Sequence, residues 1–130
     1  MLGRLQSYAY AALRIVAGFL FALHGYQKVF GWFGGRAADL TSLLGAAGMI
    51  ESVAGVLIAA GLWTRPVAFL ASGEMAVAYF RAHLPRGPWP IQNGGELAAL
   101  YAFLFLYVAL SGAGPLSIDS LRGRTGRSRR

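Results

Sequence analysis

The sequence predicts an all-α protein, a polytopic membrane four-helix bundle with both termini in the cytoplasm. Three observations indicate this class. The 130 residues are 56% hydrophobic and only 13% charged, whereas soluble domains usually carry about 25% charged residues. Four segments are apolar over about 20 residues, the length that crosses a bilayer as a helix. All three tryptophans fall at the ends of these segments, where an amphipathic indole sits in a membrane.

The predicted spans cover residues 8–30, 43–63, 66–84 and 94–113. Turn residues separate them: glycines after the first span, a Thr-Arg-Pro sequence after the second, and the stretch HLPRGPWPIQNGGE at 83–96 after the third. Together the spans predict one transmembrane domain at residues 1–121. The last nine residues, 122–130, hold five arginines and are expected to form a basic disordered tail that meets anionic lipid headgroups.

The orientation follows from the charges of the loops. One side of the predicted bundle holds Arg4, Arg65 and the tail arginines, and the other holds Arg36 and Arg86. By the positive-inside rule both termini are cytoplasmic, and the stretch 83–96 faces outward. The lipid bilayer is the expected partner. Nucleic acid is not expected, because the rest of the chain offers no basic face.

Charged residues inside the spans predict ion pairs. A charge at mid-helix costs about 2.5–3.5 kcal/mol to insert, so basic and acidic residues in equal number are expected to pair within the bundle. Arg14 is expected to meet Glu74 and, on a regular helix, Arg81 would share the face of Glu74. Small residues recur every four positions around Glu51, which indicates that it faces a neighbouring helix. The buried ion-pair candidates are Arg14, Glu51 and Glu74.

A second polar set is expected near the outer ends of three spans. His24, Gln27 and Lys28 can share one side of the first span. The third span ends and the fourth begins with further polar residues, and Trp89 would anchor the loop between them. Ionisable groups at membrane depth indicate a functional site. The candidate ligand-binding residues are His24, Gln27, Lys28, Arg81, His83, Trp89, Asn93 and Glu96.

These residues also have structural interpretations. Asn93-Gly-Gly-Glu96 fits a capping box, with Asn93 as the N-cap of the fourth helix. Lys28 and Arg81 can extend to the interface, and the two histidines can be satisfied within the bundle. No metal site is predicted, because the histidines lack the spacing of metal-binding motifs. The chain has no cysteine, which excludes thiolate chemistry and iron–sulfur ligation by this chain alone.

Three blocks carry a family resemblance: RIVAGFLFALHGYQKVFG, GLWTRPVAFL and HLPRGPWPIQNGGELAALY. Their order and spacing resemble the DoxX family of small bacterial membrane proteins over about residues 12–121. The resemblance implies a multi-pass, four-helix protein of the cell inner membrane, associated with quinol oxidation or thiosulfate:quinone oxidoreduction. Pro88 and Gln92 depart from the usual pattern. The family's residues carry over at His24, Gly25, Lys28, His83, Pro85, Gly87, Trp89, Pro90, Asn93, Gly94, Gly95 and Glu96.

The leading functional hypothesis is a redox-associated subunit whose outward-facing polar site binds a quinone headgroup or a small anion. Lys28 and Arg81 would stabilise charge, and His24, His83 and Glu96 would handle protons. The alternative is a non-catalytic scaffold or assembly partner of an oxidoreductase. A small transporter ranks last, because four short helices with a closed charge network make a poor pore. Catalytic activity, a partner oxidoreductase subunit and a homo-oligomer are left open.

Overall fold

A computed structural model describes residues 1–127, which fold into six α-helices joined by short loops. A π-helical turn, Tyr79–His83, and a 3₁₀ turn, Leu84–Arg86, extend the third helix. The predicted all-α class is confirmed. The helices are α1 (Leu2–Phe30), α2 (Leu43–Ala60), α3 (Thr64–Ala78), α4 (Pro90–Asn93), α5 (Glu96–Ser111) and α6 (Ile118–Arg127).

Two of the described helices, α1 and α2, are long and apolar enough to cross a membrane by length and composition. The shorter α5 is apolar over 16 residues. Large apolar side chains cover the outside of the molecule, with Phe103 74% exposed and Leu110 72% exposed. Soluble monomers rarely expose extended apolar surface of this kind. Membrane crossing by four helices and cytoplasmic termini stay predictions.

Of the helix pairs in the bundle, α1 and α2 have the most extensive contact. Small residues on both helices allow this close packing. A Cβ atom on Gly18 would collide with the backbone of Gly55 and Ala59, and one on Gly25 would collide with Ser52. Glycine at such positions lets two helix backbones approach closely, as in membrane helix pairs. The small residues around Glu51 therefore face α1, so Glu51 faces a neighbouring helix as predicted.

The core joins this pair to a second pair, α3 and α5. Phe21 of α1 lies edge-on against Tyr101 and Phe105 of α5, with ring centroids 5.4 Å and 4.9 Å away. Ser72 of α3 donates to the Ala102 carbonyl oxygen of α5 at 2.6 Å. The four longest helices thus surround one apolar core, which ends at the cavity described below.

Arg14 lies within the bundle but has different partners from those expected. It is fully buried, and its Nη1 donates to the carbonyl oxygens of Ile58 and Ala59 at 2.8 Å each. Its Nη2 donates to the Leu116 carbonyl oxygen at 2.8 Å. The carbonyl oxygens at the end of α2 carry partial negative charge and hold Nη1, whereas the buried Nε of Arg14 has no hydrogen-bond partner among the described residues. The expected contact of Arg14 with Glu74 is therefore wrong.

The basic C-terminal segment is helical as far as Arg127, where a disordered tail was expected; residues 128–130 lie outside the described residues. Asp119 in the first turn of α6 anchors this helix. Its carboxylate accepts hydrogen bonds from Trp63 N, Thr64 N and Thr64 Oγ1 at 2.9–3.0 Å. Burial alone would raise the pKa of Asp119, but the hydrogen bonds from Thr64 and Trp63 outweigh it and lower the pKa.

Candidate functional site

A cavity of about 270 Å³ lies where α1, α2, α3 and α5 meet, near the end of α1 and the start of α5. Apolar side chains such as Phe21, Met75 and Leu97 form part of its wall. Predicted site residues from two separate elements reach it, His24 and Lys28 from α1 and His83 from the π-helical turn. The polar or ionisable side chains that line it are His24, Lys28, Glu51, His83 and Tyr101.

Lys28 and Glu51 form an ion pair across α1 and α2 at the cavity wall. Lys28 Nζ lies 2.5 Å from Glu51 Oε1, and the side chains are 27% and 1% exposed. Gly48 makes this crossing possible, because a Cβ atom there would press on the Cβ of Lys28. Among the side chains of residues 1–126 this is the one ion pair, so Lys28 is held inward and does not extend to the interface.

Three buried polar atoms at or near the cavity lack a hydrogen-bond partner among the side chains and backbone of residues 1–126. They are Glu51 Oε2, Glu74 Oε2 and the Tyr101 hydroxyl. Glu74 comes from α3, and its carboxyl group is close enough to interact with that of Glu51. Buried polar groups in folded proteins are nearly always hydrogen-bonded. These three atoms are therefore open to a proton, a water molecule or a ligand.

His83 is oriented by the loop that follows it. Its Nδ1 lies 3.2 Å from the Asn93 carbonyl oxygen. A carbonyl oxygen only accepts, so Nδ1 carries the proton and donates it. In the neutral ring Nε2 is then left as an acceptor on a half-buried side chain at the cavity wall. A histidine held in this way can accept a proton from a ligand or return one to it.

His24 and Gln27 separate on α1. The His24 ring lies edge-on to Tyr101, with centroids 6.3 Å apart, so it is part of the cavity wall. Gln27 donates from Nε2 to the Phe33 carbonyl oxygen at 3.4 Å and supports the loop after α1. The predicted site therefore keeps His24 and places Gln27 beside it, outside the lining.

Asn93 ties the loop together without forming the predicted capping box. It is 2% exposed; its Nδ2 donates to the Gly87 carbonyl oxygen at 2.9 Å and its Oδ1 accepts from Gly95 N at 2.8 Å. Gly95 is the N-cap of α5, and Glu96 is its first residue and exposed. The capping-box prediction is wrong because Asn93 ends α4 and Gly94 is left-handed, with φ 73°, so α5 begins only at Glu96.

Arg81 points away from the cavity, and this changes the charge of the site. It is exposed, although seven residues on a regular helix would place it on the face of Glu74. The π-helical turn over Tyr79–His83 widens the helix and shifts its register, so Arg81 leaves that face and His83 reaches the cavity. Trp89 is 65% exposed and lies in the loop outside the cavity.

Tyr101 and Glu51 belong to the cavity although the sequence analysis did not include them among the ligand-binding residues. A buried tyrosine in an apolar segment usually needs a partner for its hydroxyl group. This property was the signal in the sequence by which Tyr101 could have been found. Glu51 was expected in the interior as an ion-pair residue only. Within the described residues no three His, Cys, Asp or Glu side chains lie close enough to hold a metal ion.

A larger cavity of about 700 Å³ lies at the opposite end of the molecule, beside α6. Its wall includes Tyr8, Ser117 and Ser120, with Arg124 as its charged residue. It brings no carboxylate or imidazole together, so the smaller cavity is the better candidate for proton or ligand chemistry.

Comparison with known proteins agrees with the resemblance in the sequence. Residues 9–84 match the model of the DoxX family. The chain is also 44% identical over 126 residues to an uncharacterized protein of Haemophilus influenzae, an alignment that covers 92% of this chain and 94% of that protein. No solved structure matches the chain. The chain therefore belongs to the DoxX family of membrane proteins.

Proposed function

We propose that this protein is a redox-associated subunit of the inner membrane whose cavity binds the headgroup of a quinone. One observation carries the proposal: a single cavity gathers an unpartnered hydroxyl, two imidazoles and an ion pair beside an apolar wall. Ligand sites typically combine apolar walls with a few placed polar groups. The volume of about 270 Å³ suits a ring-sized headgroup, and a lipid-soluble tail would extend into the bilayer.

The charge of the cavity favours a neutral carbonyl ligand over a small anion. Lys28 is neutralised by Glu51, and Arg81 faces away, so the two cations expected to attract an anion do not act together. The Tyr101 hydroxyl is free to donate to a ligand carbonyl, and His83 Nε2 can accept from a ligand hydroxyl. A quinone presents carbonyls and a quinol presents hydroxyls, so both forms find matching groups.

Tyr101→Phe is the sharpest test. Removal of an unpartnered hydroxyl leaves no new unsatisfied group, so the thermal stability of the ligand-free protein should be kept or raised. Binding of a short-chain ubiquinone, measured by equilibrium dialysis in mild detergent, should weaken by about 2- to 12-fold, the equivalent of one hydrogen bond. Arg81→Met is the matched control, because its side chain lies outside the cavity.

The outcomes separate clearly. Weaker binding in Tyr101→Phe with unchanged binding in Arg81→Met supports the proposal. Equal binding in wild type and Tyr101→Phe, or no binding of the quinone and none extracted with the protein from native membranes, defeats it.

The scaffold function is favoured by a different observation. The Lys28–Glu51 pair bridges α1 and α2, and a buried ion pair of this kind can serve helix register without any ligand. If the protein assembles an oxidoreductase, Lys28→Met should reduce the amount of partner subunit that co-purifies, whereas Tyr101→Phe should not. That pattern, together with an absence of quinone binding, would replace the quinone proposal with this one.

A further inference from the structure

We propose that Glu51 and Glu74 form a carboxyl pair that shares one proton, and that this pair is a proton-holding site next to the cavity. The inference goes beyond the binding of a quinone, because it concerns ionisation of the ligand-free protein. It stands on the positions of two carboxyl groups, one ammonium group and the atoms that lack partners.

The charges of the two carboxyl groups are balanced by only one ammonium group. Glu51 of α2 and Glu74 of α3 interact with each other, and Lys28 supplies the ammonium group that pairs with Glu51. With both carboxyl groups ionised, one negative charge would stay inside the bundle without a counter-ion. Such an uncompensated buried charge is strongly unfavourable. One proton on the pair makes the set of Lys28, Glu51 and Glu74 neutral.

Two carboxyl oxygens of the pair also lack hydrogen-bond donors. Glu51 Oε1 accepts from Lys28, but Glu51 Oε2 and Glu74 Oε2 have no donor among the described residues. Ionised carboxylates only accept, so two of them cannot bond to each other. A proton turns one carboxyl group into a donor and gives the pair a short, charge-assisted hydrogen bond. The same proton thus removes both the excess charge and the missing contacts.

Other titratable side chains surround the carboxyl pair. Lys28 on α1 faces it, and Tyr101 on α5 lies close enough to feel the charge of Glu51. His24 and His83 line the same cavity as Glu51. Glu51 is 1% exposed and lines the cavity, so the cavity gives water or a ligand a route to the proton. When the proton leaves, it passes to water or a bound base, and the set changes from neutral to a charge of minus one.

Infrared spectroscopy of the ligand-free protein tests this directly, because a protonated carboxylic acid has a C=O stretch distinct from that of a carboxylate. The chain has five Asp and Glu side chains; Asp39 and Asp119 have lowered pKa values, and Glu96 is exposed. At neutral pH we expect the signal of one carboxylic acid, which shifts in heavy water and disappears reversibly at alkaline pH. The signal should be lost in both Glu51→Gln and Glu74→Gln, since the remaining carboxyl group can pair with Lys28 alone. Glu96→Gln should keep it.

The result that overturns the proposal is a wild-type protein with no carboxylic acid signal at neutral pH, which needs no variant to fold. Persistence of the full signal in folded Glu51→Gln and in folded Glu74→Gln would also overturn it, because the proton would then belong to neither residue. The measurement uses no quinone, so its failure is separate from failure of quinone binding.

Discussion

Lys28→Met isolates the contribution of the ion pair at the cavity. The substitution keeps much of the unbranched apolar stem of Lys28 but removes its charge, so Glu51, which is 1% exposed, loses its counter-ion. Removal of one partner from a buried pair costs about 3–5 kcal/mol. Lys28 is 27% exposed and therefore partly solvated, so we expect the lower end, about 3 kcal/mol.

The assay is thermal unfolding in mild detergent, followed by helical circular dichroism. For a chain of this size a loss of 1 kcal/mol lowers Tm by about 4 °C, so Lys28→Met should lower it by about 12 °C. The double variant Lys28→Met/Glu51→Gln removes both charges and should recover part of this loss. The expected coupling between the two positions is about 0.5–3 kcal/mol. Arg81→Met, an exposed cation near the same end, should leave Tm within about 2 °C, as surface substitutions usually do.

Two results would refute this reasoning. An unchanged Tm in Lys28→Met would show that Glu51 does not depend on its counter-ion. Strict additivity of the two single substitutions in the double variant would show that the side chains do not interact in the folded protein.

Three further predictions concern other parts of the molecule. Gly55→Ala should destabilise the protein by about 1–3 kcal/mol in the same assay, because the new Cβ atom would meet the backbone of Ala22. The control Gly73→Ala places its Cβ atom in open space and should be neutral or stabilising. Equal effects of the two substitutions would contradict the packing of α1 on α2. Asp119→Ala should cost about 0.5–2 kcal/mol at neutral pH, because the start of α3 loses the carboxylate that caps it. The lowered pKa of Asp119 means that its contribution is present above the unfolded value of about 3.9 and is lost as the pH falls through the folded value, so the variant should lack this acid dependence in denaturation curves. Reporter fusions after Gly35, Thr64, Arg86 and the C-terminal end should lie outside, inside, outside and inside the cytoplasm, and a C-terminal reporter on the outside would overturn the predicted topology.

Hydropathy predicted the helices because a helix that is buried in lipid or in a protein core consists of a long apolar segment. The start of α5 at Glu96 and the start of α2 at Leu43 lie within two residues of the predicted spans. The helical C-terminal segment was missed, since α6 depends on Asp119 reaching across to α3. Arg14 was misassigned for a related reason: its partners are backbone carbonyls, which a search for acidic side chains does not consider.

The candidate site was predictable only where one regular helix carries the residues. His24 and Lys28 lie four positions apart on α1, and both line the cavity. Arg81 and His83 were both predicted in the site, but only His83 lines the cavity, because the helix changes to a π-helical turn at Tyr79. No residue type in YFRAH specifies such a turn, so the register of everything after it could not be derived from spacing. The ionic character expected of the site depended on that register.

The cavity and its unpartnered atoms have one structural cause. The backbones within the α1–α2 pair approach at glycines, whereas the two helix pairs have fewer backbone contacts with each other. Long side chains such as Phe21 and Phe105 fill the seam between the pairs along most of its length. Where α5 begins, Gly94 contributes no side chain, and the seam is incompletely filled there. The Tyr101 hydroxyl and Glu51 Oε2 are left without a hydrogen-bond partner among the described residues at this gap. The incomplete filling that forms the cavity therefore also leaves unpaired the hydroxyl that is proposed to bind a ligand.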